Sequence, residues 1–104
     1  MLIVDTKSAL LQALISGEGY GLELIERIRA RTEGKVALLQ GRVYPALREL
    51  EIDGLVKSYE TEPLAERGGR PRRYYRLTAE GRRAALLQQK AVLALFQPVL
   101  RGAQ

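Results

Sequence analysis

The order of apolar patterns along this 104-residue chain constrains its fold more than any other feature. Three stretches with helical spacing come first, two short stretches rich in Val, Tyr and Thr follow, and one long helical stretch comes last. A chain of this length holds a single hydrophobic core, so the six elements must share it. We therefore expect one mainly α domain of the α+β class.

The first two helices are predicted from apolar spacing and from the glycines between them. One helix is expected over residues 6–15, with Thr6 available as its N-cap, and the next from residue 20 or 21 to about residue 31. The glycine-rich segment 17–21 is expected to be a helix-to-helix turn, because no strand precedes it and it lacks the lysine of a phosphate-binding loop. Residues 36–39 fit either a very short strand or an extended linker.

The third helix carries the clearest apolar stripe. It is predicted to begin between residues 40 and 42, because Pro45 lacks an amide hydrogen and fits only the first turn of a helix. The stripe consists of residues at i, i+4 and i+7, namely Val43, Leu47 and Leu50, and Gly54 ends the helix. At about 100° per residue, a helix with this stripe turned toward the core has its opposite face in solvent. The residues expected on the solvent face are Gly41, Pro45, Arg48, Glu49 and Ile52, with Arg42 and Tyr44 on the flanks.

Two strands and a last helix complete the pattern. The strands are expected over residues 55–61 and 73–78, on either side of a loop containing two glycines and two prolines. Thr78 can cap a final helix over residues 79–97, which Pro98 stops. This order is that of a winged helix-turn-helix with a two-stranded wing. We expect residues 1–78 to form the winged DNA-binding part and residues 79–104 a C-terminal dimerisation helix and tail.

The positive charge is concentrated in one segment. The chain has 17 basic and 12 acidic residues, and seven arginines against two glutamates lie between Glu66 and Arg83. The rest of the chain is balanced, so this segment accounts for the whole net charge of +5. A local basic patch is typical of a surface that binds a polyanion, although a solvated arginine-rich loop is the alternative.

The residue types suggest how the chain would contact double-stranded DNA. Arginines of the third helix can read guanine in the major groove, and a tyrosine hydroxyl can reach a phosphate. Arginines on a Gly- and Pro-containing loop suit a narrow minor groove. Glu49 on the same side would repel phosphates unless it pairs with an arginine or with cytosine. The candidate DNA-binding residues are Arg42, Tyr44, Pro45 and Arg48 on the helix and Arg67, Arg70, Arg72 and Arg73 in the wing; an ordinary surface helix and a merely soluble hairpin tip are the alternatives.

The last helix is apolar on every side between Ala91 and Phe96, whereas a terminal helix of a small monomer has one polar face exposed to solvent. A second copy of the chain is the expected cover, giving a two-fold homodimer. Packing onto the chain's own first helix is the alternative, and the two are compatible. The candidate interface residues are Leu86, Val92, Leu93, Phe96 and Leu100.

Composition excludes several kinds of chemistry. The chain has no cysteine and no histidine, so we expect no disulfide, no metal site, no cofactor and no catalytic residue. Its longest apolar run, residues 91–96, is far shorter than a membrane span requires. The N-terminus predicts no signal peptide, and we expect a cytoplasmic location with no membrane partner.

Several segments taken together resemble the PadR-like winged-helix transcriptional regulators. They are Gly19-Tyr20-Gly21-Leu22-Glu23-Leu24, Gly41-Arg42-Val43-Tyr44-Pro45-Ala46-Leu47 with Leu50, Asp53-Gly54-Leu55-Val56, Gly69-Arg70-Pro71-Arg72-Arg73-Tyr74-Tyr75 and Leu77-Thr78-Ala79-Glu80-Gly81. The chain departs from the usual pattern at Leu39 and Arg42, where family members often have Ser or Thr.

The resemblance implies a homodimeric, usually repressing, sequence-specific DNA-binding protein that recognises an inverted repeat in a promoter. It leaves open whether a small-molecule effector releases the DNA, and without tryptophan the last helix offers only Phe96 for stacking a flat ligand. A winged-helix module whose arginines bind an acidic partner protein is the alternative function, and an enzyme is a distant third because no paired carboxylates stand out.

Overall fold

The computed structural model describes residues 4–62, 68 and 71–97. Over these residues the chain forms four helices and a small antiparallel sheet, which confirms the mainly α winged helix-turn-helix expected from the sequence. In chain order the elements are α1 (Thr6–Ile15), β1 (Gly19–Tyr20), α2 (Gly21–Arg31), α3 (Gln40–Ile52), β2 (Val56–Glu60), β3 (Arg73–Leu77) and α4 (Ala79–Leu95).

The sheet contains a strand that the sequence did not predict. Its order is β1-β3-β2, with β3 in the centre. The two residues of β1 pair with β3, Gly19 opposite Tyr75 and Tyr20 opposite Tyr74. The segment expected to be only a helix-to-helix turn therefore adds a third strand to the wing sheet. Two residues carry no periodicity, so this strand exists only through its pairing with β3.

The core lies between α1, α2, α3 and the inner face of the sheet. Leu10, Leu24 and Leu47 are fully buried, one from each of the first three helices. Each contributes about 1.5–3 kcal/mol by leaving water. Val56 and Tyr75 add the wing strands to the same cluster. The two wing strands β2 and β3 are thus packed on the helical core.

The predicted start of α3 is confirmed, but the position of Pro45 within the helix differs from the prediction. The helix begins at Gln40, so Pro45 is its sixth residue and lies in the second turn, not the first. The steric cost of the ring falls on the carbonyl of residue i−4, Gly41, which is exposed with nothing within 4 Å of its Cβ position. Leu39 makes no side-chain cap. Residues 36–39 form an extended linker and no strand.

Two caps show how the outer helices begin. Asp5, not Thr6, caps α1, because its carboxylate accepts a hydrogen bond from the backbone N–H of Ser8 at 3.1 Å. The predicted cap of α4 is confirmed: the Thr78 hydroxyl accepts from Gly81 N at 3.0 Å. The same hydroxyl donates to the Gly54 carbonyl at 2.7 Å, which ties α4 to the end of α3.

Candidate nucleic-acid interface

The predicted outer face of α3 is solvent-exposed. Arg42, Tyr44, Pro45 and Arg48 are all exposed, while the residues of the predicted stripe are buried. Helical periodicity alone therefore found which side of α3 faces solvent.

One groove joins this face of α3 to the wing. It has a volume of about 430 Å³ and is lined by Tyr44, Arg48 and Glu51 from α3 and by Arg73 and Tyr75 from β3. Burial raises the pKa of the Tyr75 hydroxyl in this groove, which favours the neutral form of the tyrosine. The groove brings an arginine of the helix and an arginine of the wing to one surface.

Arg73 is held on the helix side of the wing by a chain of hydrogen bonds. Its Nη1 donates to Ser58 Oγ at 3.0 Å, and Ser58 Oγ in turn donates to the Glu51 carboxylate at 2.9 Å. Glu60 lies 3.5 Å from the same guanidinium. These contacts keep the cation of Arg73 between β2 and α3.

A second groove lies beside the first, at the start of α2. Its volume is about 560 Å³. Tyr44 belongs to both grooves, because its ring lies against the backbone of Gly21. A Cβ on Gly21 would lie only 2.7 Å from Cε1 of that ring. The full lining is Tyr20, Gly21, Leu22, Tyr44, Pro71, Arg72 and Arg73.

Arg72 and Arg73 both line this second groove, but their guanidinium groups have different partners. The guanidinium carbon of Arg72 lies 4.2 Å from the centroid of the Tyr20 ring, a cation–π contact. Both arginines were predicted as wing contacts to DNA, and the structure gives them different surroundings.

A tyrosine cluster on the outer face of the sheet was not found by sequence reasoning. Tyr74 meets Tyr20 edge to face at 5.4 Å and stacks on Tyr59 at 5.8 Å. The Tyr59 hydroxyl donates a hydrogen bond to the Glu18 carboxylate, and this bond raises the pKa of Tyr59. In β3 the half-buried Tyr74 lies next to the buried Tyr75, and this alternation along a strand is the sequence signal that could have pointed to an aromatic outer face.

Glu49 is paired, but not with an arginine. Its carboxylate lies 3.1 Å from Lys7 Nζ in α1, and this hydrogen bond raises the pKa of Lys7. The pair removes much of the repulsion that Glu49 would exert on a phosphate near α3.

The second half of α4 exposes apolar side chains. Leu86, Val92, Leu93 and Phe96, four of the predicted interface residues, are all exposed, Phe96 to 78%. The first half packs on α1, where Ala85 is fully buried. Gln88, in the middle of α4, still hydrogen-bonds to Gln12 and Ser8 of α1, so the alternative of packing onto α1 holds for the helix as far as its middle.

A groove of about 520 Å³ separates α1 from the end of α4. Val92, Leu93 and Phe96 line its α4 side. The opposite side of α4 carries a further apolar stripe, Leu87, Ala91 and Leu95, which the sequence analysis did not select. Leu87 is 70% and Leu95 76% exposed. The helix has apolar surface on two sides.

Three predicted site residues, Arg67, Arg70 and Leu100, lie outside the described residues. Within the part of the chain that is described, no group of acidic residues could hold a metal ion. Over the same ranges, no helix combines the length and the apolarity that a membrane crossing requires.

Solved structures show similar folds. A transcriptional regulator from Clostridium thermocellum is 28% identical, and the match covers 93% of this chain and 100% of that one with a TM-score of 0.71. A PadR family transcription regulator from Clostridium difficile is 27% identical over 89% of this chain and 98% of that one, with a TM-score of 0.67. Bacillus subtilis PadR in complex with operator DNA is 20% identical and shows the fold alone, with a TM-score of 0.70 over 80% of this chain and 45% of that one.

Sequence comparison gives the family. No curated protein sequence matches the chain significantly. The pattern of the transcriptional regulator PadR-like family matches residues 10–86. This match confirms the predicted resemblance and the expectation of a regulator instead of an enzyme. Because it covers well over half of the sequence, the chain belongs to the PadR-like family of transcriptional regulators.

Proposed function

We propose that this protein is a sequence-specific DNA-binding repressor that acts as a homodimer on an inverted-repeat operator in a promoter. Residues 1–78 would bind the DNA, and residues 79–104 would hold the two subunits together. Repression would follow from occupancy of the operator, in the cytoplasm, without any chemistry by the protein itself.

The observation that carries the proposal is the groove shared by α3 and the wing. Arg48 and Arg73 line the same groove although they lie 25 positions apart in sequence. Two arginines against one glutamate, Glu51, give the lining of this groove a net positive charge, which suits a polyanion. The adjacent exposed face of α3 has the dimensions of an element that enters a major groove. The operator-bound state of Bacillus subtilis PadR, which has the same fold, adds support.

In this proposal the helix reads sequence and the wing adds affinity. Arg42 and Arg48 would donate paired hydrogen bonds to guanine O6 and N7, while Tyr44 donates to a phosphate and Pro45 packs against the groove wall. The wing arginines Arg67, Arg70, Arg72 and Arg73 would follow the adjacent minor groove and its phosphates.

The dimer part of the proposal rests on α4. Exposed leucines, Val92 and Phe96 over residues 86–96 form an apolar patch on α4, and contiguous patches of this kind mark interaction sites. A second copy related by a two-fold axis would cover this patch on both subunits. The two copies of α3 would then contact half-sites about 34–36 Å apart, which is why an inverted repeat is the expected operator.

The experiment is a DNA-binding titration by fluorescence anisotropy, with the upstream DNA of the protein's own gene and a scrambled duplex, across a salt series. If the dimer neutralises on the order of eight phosphates, the slope of log affinity against log salt is about −7. Arg73→Ala should reduce the magnitude of that slope by about two, because a dimer loses two cations.

Arg29→Ala is the matched control, since it removes an equally positive charge about 12 Å along α2 from the Gly21–Tyr44 contact. It should leave the slope near that of the unaltered protein. Equal binding to both duplexes would contradict the proposal and favour the alternative, a module whose arginines bind an acidic protein.

A further inference from the structure

The wing and the start of α2 are joined by a closed ring of side-chain contacts. We propose that Tyr20 is a positioning residue for DNA binding: its ring holds the guanidinium of Arg72 against the groove at the start of α2. The inference rests on the proposed function, because it names a residue that prepares an arginine of that same site. Tyr20 itself need not touch the DNA.

The central contact is between Arg72 and Tyr20. The guanidinium carbon lies 4.2 Å from the ring centroid, within the range of a cation–π interaction. Arginine prefers such a contact because its planar, weakly hydrated head stacks on aromatic faces better than the ammonium of lysine does. Arg72 is therefore half-buried beside the ring, whereas Arg73, the next residue, is exposed.

The ring of Tyr20 is itself fixed. Tyr74 meets it edge to face, with centroids 5.4 Å apart and planes at 74°. Tyr59 stacks on Tyr74 at 5.8 Å and 16°, and its hydroxyl donates to Glu18, two residues before Tyr20. The contacts run from residue 18 through both wing strands and back to residue 20. Rotation of the Tyr20 ring away from Arg72 would therefore break contacts with its neighbours.

Tyr20 also connects the Arg72 contact to α3, the helix proposed to read the DNA sequence. Tyr20 is the N-cap of α2, and its backbone N–H donates to Glu23 at 3.2 Å. The next residue, Gly21, lies under the ring of Tyr44. Tyr20, Tyr44 and Arg72 consequently line one groove of about 560 Å³. A cation held in this groove before DNA arrives loses less rotamer freedom on binding than a free arginine does.

A purely structural role for Tyr20 would have a different signature. If the ring only stabilised the wing, its removal would weaken DNA binding by the same factor with or without the Arg72 guanidinium. If the ring positions that guanidinium, removing the ring should weaken DNA binding much less in a protein that already lacks Arg72. A double-mutant cycle separates the two cases.

The experiment is a DNA-binding titration of five proteins on the protein's own upstream DNA: the unaltered chain, Tyr20→Leu, Arg72→Ala, the two combined, and Tyr20→Phe. We expect Tyr20→Leu and Arg72→Ala each to weaken binding about five- to tenfold and the combination to be little weaker than Arg72→Ala alone. Tyr20→Phe keeps the aromatic face and should bind within about threefold of the unaltered chain. Multiplicative losses, or a Tyr20→Phe protein as weak as Tyr20→Leu, would overturn the inference.

Arg72→Lys keeps the inference testable if Tyr20→Leu fails to fold. It preserves the charge but removes the planar head, so we expect the same five- to tenfold loss with an unchanged melting temperature. Binding equal to that of the unaltered chain would show that stacking is irrelevant. A failure of the unaltered protein to prefer its own upstream DNA would instead contradict the proposed function, and the two failures are thus distinguishable.

Discussion

Tyr44 of α3 packs directly on the backbone of Gly21 at the start of α2, leaving no room for a side chain between them. A Cβ on Gly21 would lie 2.7 Å from Cε1 and 2.8 Å from the hydroxyl oxygen of Tyr44. The obstacle is the end of a side chain that can rotate, so the fold can survive the substitution. The contact therefore fixes where the Tyr44 hydroxyl lies more than whether the chain folds.

Gly21→Ala should accordingly weaken DNA binding about three- to tenfold while changing the free energy of unfolding by less than about 1.5 kcal/mol, because alanine also favours the helix. Anisotropy titrations and urea unfolding measure the two effects. In a Tyr44→Ala background the clash is gone, and Gly21→Ala should then leave affinity unchanged. A loss of affinity that persists in that background would rule out Tyr44 as the cause.

Gly81 shows the opposite case, in which the obstacle is backbone. A Cβ there would lie 1.8 Å from the carbonyl oxygen of Leu55, and that oxygen also accepts a hydrogen bond from Thr78 N at 3.0 Å. We expect Gly81→Ala to lower the free energy of unfolding by more than about 3 kcal/mol, measured by urea unfolding. Arg82→Ala, one residue along the same helix and exposed, should change it by less than about 0.5 kcal/mol. Similar values for both variants would contradict this close approach.

The helices and the wing were predictable from the sequence because each has a period. Apolar spacing placed the buried face of α3, and Thr78 was found as a cap because capping is local chemistry. The strand β1 was not predictable, since Gly19 and Tyr20 are extended only because Tyr74 and Tyr75 lie beside them.

The tyrosine cluster escaped sequence reasoning for the same physical reason. Tyr20 and Tyr74 lie 54 positions apart, and only the sheet register brings their rings together. The sequence likewise marked α4 as unusually apolar but not which sides would be covered. Periodicity cannot separate two apolar faces when nearly every position between residues 91 and 96 is apolar.

Stability at high pH should depend on Tyr59. The Glu18 carboxylate accepts its hydroxyl hydrogen and raises the pKa of Tyr59 above the ordinary value of 10.0. The neutral tyrosine is favoured in the folded state, so its contribution to stability is complete below pH 10 and is lost as the pH rises through the folded-state pKa. Tyr59→Phe should therefore lose less unfolding free energy than the unaltered protein as the pH rises above about 10.

Ultraviolet titration of the tyrosines measures the same pKa directly. In Glu18→Gln the pKa of Tyr59 should fall toward its ordinary value, and the exposed Glu33→Gln serves as the control. Tyr75 should keep its raised pKa in both variants, because burial is the main cause there. Identical titration curves for Glu18→Gln and Glu33→Gln would show that the hydrogen bond does not form in solution.

The dimer can be tested at Phe96, whose side chain is 78% exposed in the single subunit. Phe96→Asp should leave the circular dichroism spectrum unchanged, because it disturbs no buried contact. If a second copy covers this side chain, a buried carboxylate at each half of the interface should weaken association at least a hundredfold. Sedimentation velocity measures the change, with Gln97→Asp as a control of equal charge. A Phe96→Asp protein that sediments as the unaltered dimer would place the interface elsewhere.

The most direct test of the central claim is the ratio of affinities for the protein's own upstream DNA and for a scrambled duplex, measured at one salt concentration for three proteins. The unaltered chain should prefer its own DNA at least a thousandfold. Arg48→Ala should lose about tenfold or more of that preference, because a base contact is gone, while Arg29→Ala should retain it. If the unaltered chain binds both duplexes equally, or if the two variants lose the same fraction of the preference, α3 does not read the sequence of the DNA.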